Sequence, residues 1–481
     1  MTTNKVDYQR PEIDKYSPDW AKVNDVVAGE RAVKAAREVY LPKPNPTDER
    51  PENTKRFDQY VDRAVFFNAT GRTLDGLVGI AFKRGPETKV PASMDYIDDD
   101  IDGAGGGVEN QSHRVLEAIL KTGRHGLLTD HPAATGSTSK AQQVAGNIHA
   151  TIATYDAKNI INWRLDKNQN LTLVVLSEVV EEEDGFGIKA VDQWRELAIG
   201  RLSDDTESAT EYYVQRLWRK SESNSNEAFF IHDEFVPLDA SGQPWSIIPF
   251  TFVGAVDNNS EVDKAPLLDL ACLNIAHYRN SADFEESAYF VGQPTFAFAG
   301  LDEQWVKDTW GDGVYVGSRS ALPLPVGGSA TILEASPNTL ASAAMDKKES
   351  QMVALGARLL THGEAIKTAE QSRSETAAAH SVLSLASTNM ALAYTQALEW
   401  AALFTSGATG EISYTMPTDY TGLNADPILI SAIVAAWQSG AIPTADKNTG
   451  FRQLGVIDPT KSDEEIDDEI DAAGGGLELG E

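Results

Sequence analysis

Apolar residues recur at helical spacing toward both ends of this chain and alternate at strand spacing through its middle, so the pattern predicts an α+β protein with a β-rich centre. Within the otherwise polar segment 1–54, Val23, Val26, Val27, Val33 and Ala36 fall near one face of a helix over 20–39, which Pro42, Pro44, Pro46 and Pro51 bring to an end. Phe57, Tyr60, Val61, Ala64 and Val65 predict a second helix. After a turn, the apolar run 74–82, interrupted by Gly76 and Gly79, predicts a third helix packed on it. Val115, Leu116 and Ile119 face inward from a short helix over 111–122, and Gly123 supplies the left-handed residue that stops it. Residues 126–130 read as a strand.

Between 147 and 243 the period changes to two. Segments 148–154, 171–180, 196–202, 211–217 and 228–236 predict strands of one antiparallel region, with a turn over 166–170 and polar hairpin tips at 203–210 and 221–227. From Pro266 the helical period returns in three long stretches, 266–290, 338–360 and 374–404, with a glycine- and proline-rich insert, 291–336, between the first two. In the third, Leu383, Ala386, Met390, Ala393, Ala397, Trp400, Ala401 and Phe404 form one apolar stripe whose alanines allow close approach of neighbours. A helix over 427–437, a turn over 440–443, a helix from Ala445 and an acidic tail from Asp463 complete the chain, and no repeat of fixed period is visible.

Composition narrows the function. The 481 residues hold one cysteine, Cys272, which leaves neither an intrachain disulfide nor a thiolate cluster and points to folding in a reducing compartment. The N-terminus is polar and no run of apolar residues is long enough to span a bilayer, so the reading is of a protein neither exported by a signal peptide nor embedded. Lys and Arg number 41 against 72 Asp and Glu, a net charge of −31. That balance opposes tight general binding to phosphate backbones, where affinity comes from basic side chains releasing counterions, so contact with DNA is expected to be local and slippery.

Chemistry is sparse. Asp98, Asp100, Asp102, Gly103 and Glu109 meet the spacing of a calcium loop, with alternating carboxylates converging on a hard cation. Gly105 stands where such loops carry an aliphatic residue, and the incoming segment 90–97 lacks a helical pattern, so a solvated turn preceding the next helix is the competing reading. His125, Asp130 and His131 cluster in sequence without a third ligand at metal spacing, while His277 lies on a long helix and His362 beside a loop. Nucleophile elbow, phosphate-binding loop and dinucleotide fingerprint are all missing from the sequence. No catalytic residue is assigned and no cofactor is implied.

Several spaced segments nevertheless resemble the portal proteins of tailed bacteriophages. They are Ile248-Pro249-Phe250, the stretch from Pro266 to Ala271, that from Leu273 to Asp283, that from Asn68 to Gly79, and that from Gly123 to Asp130. The resemblance covers about residues 57 to 405 and rests on the order and spacing of these segments together. It implies a portal-like fold: a mixed α/β wing over 1–264, a stem of two helices over 265–290 and 337–360, and a small α/β clip over 291–336. A channel loop over 361–373, a long wing helix over 374–405 and a C-terminal wing and crown with acidic tail over 406–481 complete it. The implied function is structural, not enzymatic: a dodecameric ring at one capsid vertex, made in the host cytoplasm, through which double-stranded DNA is packaged and ejected. The implied partners are further copies of the chain, the terminase, the head-tail adaptor and the major capsid and scaffolding proteins. In the channel loop, Lys367 and Arg373 would lie nearest DNA, with Glu364 and Glu370 limiting their grip. In the clip, Trp305, Trp310, Tyr315 and Pro323 would offer a docking surface, or else form the clip's own small core. Two alternatives remain: a minor capsid or head-completion protein, and a metal-dependent hydrolase or nuclease using the carboxylates from Asp98 to Glu109.

Overall fold

The computed structural model describes residues 5–130, 149–203, 210–221, 229–292, 295–311, 322–333, 339–360, 381–405, 410–418, 420, 443–453 and a few positions between 434 and 466. The described elements, in chain order, begin with helices α1 (Pro11–Ala28), α2 (Glu30–Ala35), α3 (Pro51–Arg63) and α4 (Ala69–Ala81), then β1 (Glu87–Lys89), α5 (Val108–Thr122) and β2 (Arg124–Asp130). The β-rich middle follows as β3 (Thr151–Asp156), β4 (Ile160–Leu165), β5 (Leu171–Asp184), β6 (Gly187–Gly200), β7 (Tyr212–Lys220), β8 (Phe229–Phe235) and β9 (Phe250–Gly254). Then come α6 (Leu268–Gly292), β10 (Thr295–Ala299), α7 (Glu303–Trp310), β11 (Ser329–Leu333), α8 (Thr339–Leu360), α9 (Val382–Phe404), β12 (Ser413–Thr415) and α10 (Thr444–Gln453). The class is α+β, with antiparallel sheets throughout the described residues.

The chain divides into two compact units. One comprises Met1–Trp20, Leu74–Pro266 and Arg358–Glu481; the other comprises Ala21–Thr73 and Leu267–Ala357. In the first unit α9 lies on a three-stranded sheet of order β3-β2-β9, and small residues make that approach possible. The Thr129 hydroxyl donates to the Ala397 carbonyl at 3.0 Å, and Asn389 Nδ2 donates to the Gly254 carbonyl at 3.1 Å. On another face of α9, Tyr394 reaches Gln111 of α5 at 3.0 Å. Beneath the sheet, Gly126 is required by packing: a Cβ there would stand 2.5 Å from Phe250 Cζ and 2.9 Å from Ile160 Cδ1.

Strands β4 to β8 form a second sheet, a meander in sequence order. Its core side chains are Ile161, Val175 and Trp194, covered by Val6, Leu173, Trp218 and Phe229. The expectation of one antiparallel region is therefore corrected: 151–156 belongs to the sheet with β2 and β9, and the meander is a separate sheet. Two further boundaries differ from the sequence reading. Strand β4 has no counterpart in it, because Ile160 and Ile161 are both buried and break the alternation that marks a half-buried strand. The first helix starts at Pro11 instead of residue 20, as proline at the first helical position is pre-set for the turn, and it breaks at Gly29, whose φ is +92°. Pro51 opens α3 in the same way. Gly123 closes α5 at φ +73°, as expected. The predicted helix over 427–437 and both hairpin tips lie largely outside the described residues.

Candidate functional site

Asn274 of α6 shows how the second unit anchors its long helix. Its Oδ1 accepts from the backbone amide and hydroxyl of Thr70, at 3.1 and 3.0 Å, while its Nδ2 donates to the Phe67 carbonyl at 2.7 Å. A buried amide side chain thus satisfies the open N-terminus of α4, where helix amides have no partner of their own. The inner part of α6 buries Leu270, Ala271, Ile275, Tyr278 and Ala282. Further along, Tyr60 donates to Asp283 at 2.7 Å, Arg63 pairs with Glu286, and the Arg63 guanidinium lies 4.3 Å from the Tyr289 ring. From Ala288 to Phe290 the helix is exposed.

Helix α8 touches α6 through two polar contacts. His277 Nε2 lies 3.1 Å from Glu349 Oε1, and Lys348 donates to Asn280, so the two helices meet at this level. Buried His277 is thereby a packing and bridging residue. Among the described side chains of α8, only Ala341 and Met352 are buried, whereas Leu340 and Val353 are 82% and 74% exposed. A helix with so little of its surface covered derives little stability from its own chain.

Strands β10 and β11 connect the two helices at their far ends, pairing from Thr295↔Leu333 to Ala299↔Ser329. Helix α7 is inserted between them, and the Asp302 side chain caps it by accepting from the amides of Gln304 and Trp305. Trp305 packs edge-on against Trp310 at 5.5 Å, and Trp310 against Phe298 at 4.9 Å. The two tryptophans are thus built into the aromatic cluster of the insert, each half-buried. Tyr315 lies outside the described residues, as do Lys367, Arg373, Glu364 and Glu370 of the expected channel loop.

The carboxylates from Asp98 to Glu109 turn onto their own backbone. Asp100 Oδ1 accepts from the Gly105 amide at 2.8 Å, and Asp102 Oδ1 accepts from the amides of Ala104 and Gly106, both at 2.9 Å. Burial raises the Asp102 carboxyl, but the Gly106 and Ala104 amides and nearby Arg114 outweigh it and hold the group below its ordinary range. Glu109 sits in the first turn of α5, where a negative charge favours the helix dipole. Among the described residues no three or more His, Cys, Asp or Glu side chains gather as metal ligands would. His125 and Asp130 are five residues apart on β2, so their side chains leave opposite faces. Both ring nitrogens of His125 are buried without a hydrogen bond, and burial pushes the group down to about 4. Asp130 instead accepts from Gln215 at 2.9 Å. His131 and His362 lie outside the described residues.

Two polar clusters were not visible in the sequence, because each joins residues distant along the chain. Arg124 is buried between the rings of Trp163 and Phe252, 4.2 and 4.1 Å from their centroids, with Arg10 over the same Trp163 ring at 4.3 Å. Its Nη1 donates to the Ser260 carbonyl at 2.9 Å. Burial lowers it to about 9, which leaves it charged at neutral pH. Glu178 of β5 accepts from Tyr155 and from Arg195 Nε, each at 2.6 Å, and from Gln193 at 2.9 Å. Arg195 also donates to Gln215 at 3.0 Å. This network ties β3 of one sheet to β5, β6 and β7 of the other.

Comparison with known proteins adds three findings. Residues 266–405 match the model of a domain of unknown function, DUF4055, a span that runs from α6 through α9. No curated protein matches the chain. Among solved structures, the chain is similar to one described as the neck of an empty GTA particle computed with C6 symmetry, at 12% identity and a TM-score of 0.36, over 80% of this chain and 89% of that one. A superposition that loose does not establish a common fold.

Proposed function

We propose that this chain is the portal protein of a tailed bacteriophage, a ring subunit that conducts double-stranded DNA and performs no bond chemistry. One observation carries the reading: two long helices joined through a small β-α-β insert and touching at His277 and Glu349, of which α8 leaves more than half of its described residues exposed. Repetition about an axis is the arrangement in which such a pair acquires the burial it lacks, since each copy covers the next. The order of helix, insert, helix and later long helix is the order that the sequence resemblance implies for stem, clip, stem and wing helix. Under this reading the ring sits in the virion at one capsid vertex and receives first the terminase and then the head-tail adaptor at the insert.

The chain's net charge of −31 fits a conduit that must not grip its cargo, because a duplex slides most freely past a wall with few fixed cations. Lys367 and Arg373 then supply sparse contacts to phosphate, tempered by Glu364 and Glu370. Negative-stain images of the purified chain are expected to show rings with a central opening wide enough for a duplex. In particles carrying Lys367→Ala and Arg373→Ala together, ring assembly is expected to persist while the amount or retention of packaged DNA changes. Normal packaging and retention would show that this loop does not touch DNA.

A further inference from the structure

Strands β5 and β6 are each 14 residues long, but their neighbours cover only their inner parts: β4 pairs with Leu171 to Leu176 and β7 with Gln193 to Gly200. Among the described residues, the outer portion is therefore a two-stranded ribbon, and every residue from Glu181 to Ala190 is exposed. Gly185, at φ +62°, turns it, and Phe186 stands fully exposed at its tip.

Cross-strand pairing sorts the ribbon into two unlike faces, because directly opposed residues share a side. One face carries Glu178↔Gln193, Val180↔Val191, Glu182↔Lys189 and Asp184↔Gly187, and there cations meet two of the three carboxylates: Arg219 pairs with Glu182 at 2.6 Å and Arg195 with Glu178. The other face carries Val179↔Asp192, Glu181↔Ala190 and Glu183↔Ile188. No cation stands among these three pairs. Lys220, at the base of the same face, lies over the Trp194 and Phe229 rings. Val179 is 64% exposed and Ile188 71%, so carboxylates alternate with bare branched apolar side chains in a strip that continues outward from Val175 and Trp194 of the core.

Charged residues on a protruding strand guard against edge-to-edge aggregation, and that accounts for the glutamates. It does not account for Val179, Ile188 and Phe186, which a purely protective ribbon would replace with polar residues. We propose that this uncompensated face docks a basic, part-apolar polypeptide segment of a partner protein. Charge decides the kind of occupant: an anionic lipid surface and a nucleic acid would both meet Glu181, Glu183 and Asp192 with like charge, whereas a basic segment with apolar side chains complements both parts of the strip. The inference does not depend on ring assembly, and the ribbon can be tested whether or not rings form.

The test uses the full-length chain and two labelled synthetic peptides of equal charge, one alternating lysine with valine and the other lysine with serine, with binding read by fluorescence anisotropy. The lysine–valine peptide is expected to bind about tenfold more tightly than the lysine–serine peptide. Ile188→Thr, which keeps a β-branched strand former, and the pair Glu181→Gln with Glu183→Gln are each expected to weaken it by about tenfold, while Glu182→Gln on the compensated face leaves it unchanged. Equal affinity for both peptides would reduce the effect to general attraction between charges and overturn the proposal. So would binding that survives both the Ile188 and the paired glutamate substitutions.

Discussion

Helices α8 and α9 have similar length, 22 and 23 residues, and both are rich in alanine, yet they occupy opposite environments. Thirteen residues of α9 are buried, from Leu383 to Phe404, including polar Ser387 and Asn389. In α8 the buried residues among those described are Ala341 and Met352. Alanine content therefore does not say where a helix finds its partner. α9 satisfies its apolar stripe inside its own chain, against a sheet and α5, whereas α8 presents Leu340 and Val353 outward. The first arrangement holds a subunit together, and the second is the one that the proposed ring requires of a helix covered by sister copies.

Truncation should separate the two helices most sharply. Leu398→Ala in α9 is expected to destabilise the chain by about 2–5 kcal/mol in urea unfolding, because the cavity forms in a close-packed site. Val353→Ala in α8 should change subunit stability by less than about 0.5 kcal/mol while weakening the assembly. A large loss of subunit stability at Val353 would mean that α8 is a core helix after all. Removing one partner of the network between the sheets comes close to the first effect: Arg195→Ala leaves half-buried Glu178 without its cation, held only by Tyr155 and Gln193, with an expected loss of about 3 kcal/mol.

Smaller effects come from pH. Burial holds His125 at about 4, below its ordinary value near 6.5, so the unfolded chain takes up a proton that the folded chain refuses. Stability is then unaffected above the ordinary value and falls as pH drops from there toward 4. His125→Gln should flatten that part of a stability-versus-pH curve, and a variant with the same slope as the parent would assign the effect elsewhere. For Glu178, burial raises the carboxyl, but Arg195 and its hydrogen-bond donors outweigh that and depress it. Its contribution is present above the ordinary carboxylate range and is lost as pH falls through the depressed value.

What was legible in the sequence was whatever depends on neighbours a turn or two away. The helical period gave α3, α5, α6, α8 and α9 to within a few residues, except where the start of α9 borders residues outside the description, and Gly123 marked a helix end by its own conformational freedom. Strand β4 and the division of the β region into two sheets escaped, because the sheet that Thr151 to Asp156 joins is decided by pairing with β2, whose other neighbour, β9, lies about a hundred residues later. The candidate site was legible in outline only. The helix-insert-helix order could be read, but the inward packing of Trp305 and Trp310, the anchoring role of Asn274 and the capture of Asp100 and Asp102 by backbone amides depend on three-dimensional placement.

The proposal that α8 is covered by sister copies is tested most directly by the mass of the purified full-length chain in solution at high concentration. Each subunit is 52.1 kDa, and the account predicts a closed particle of many such masses that Val353→Asp disperses into folded single subunits. A well-folded 52.1 kDa monomer for the unsubstituted chain, both free and within an assembled particle, would contradict it.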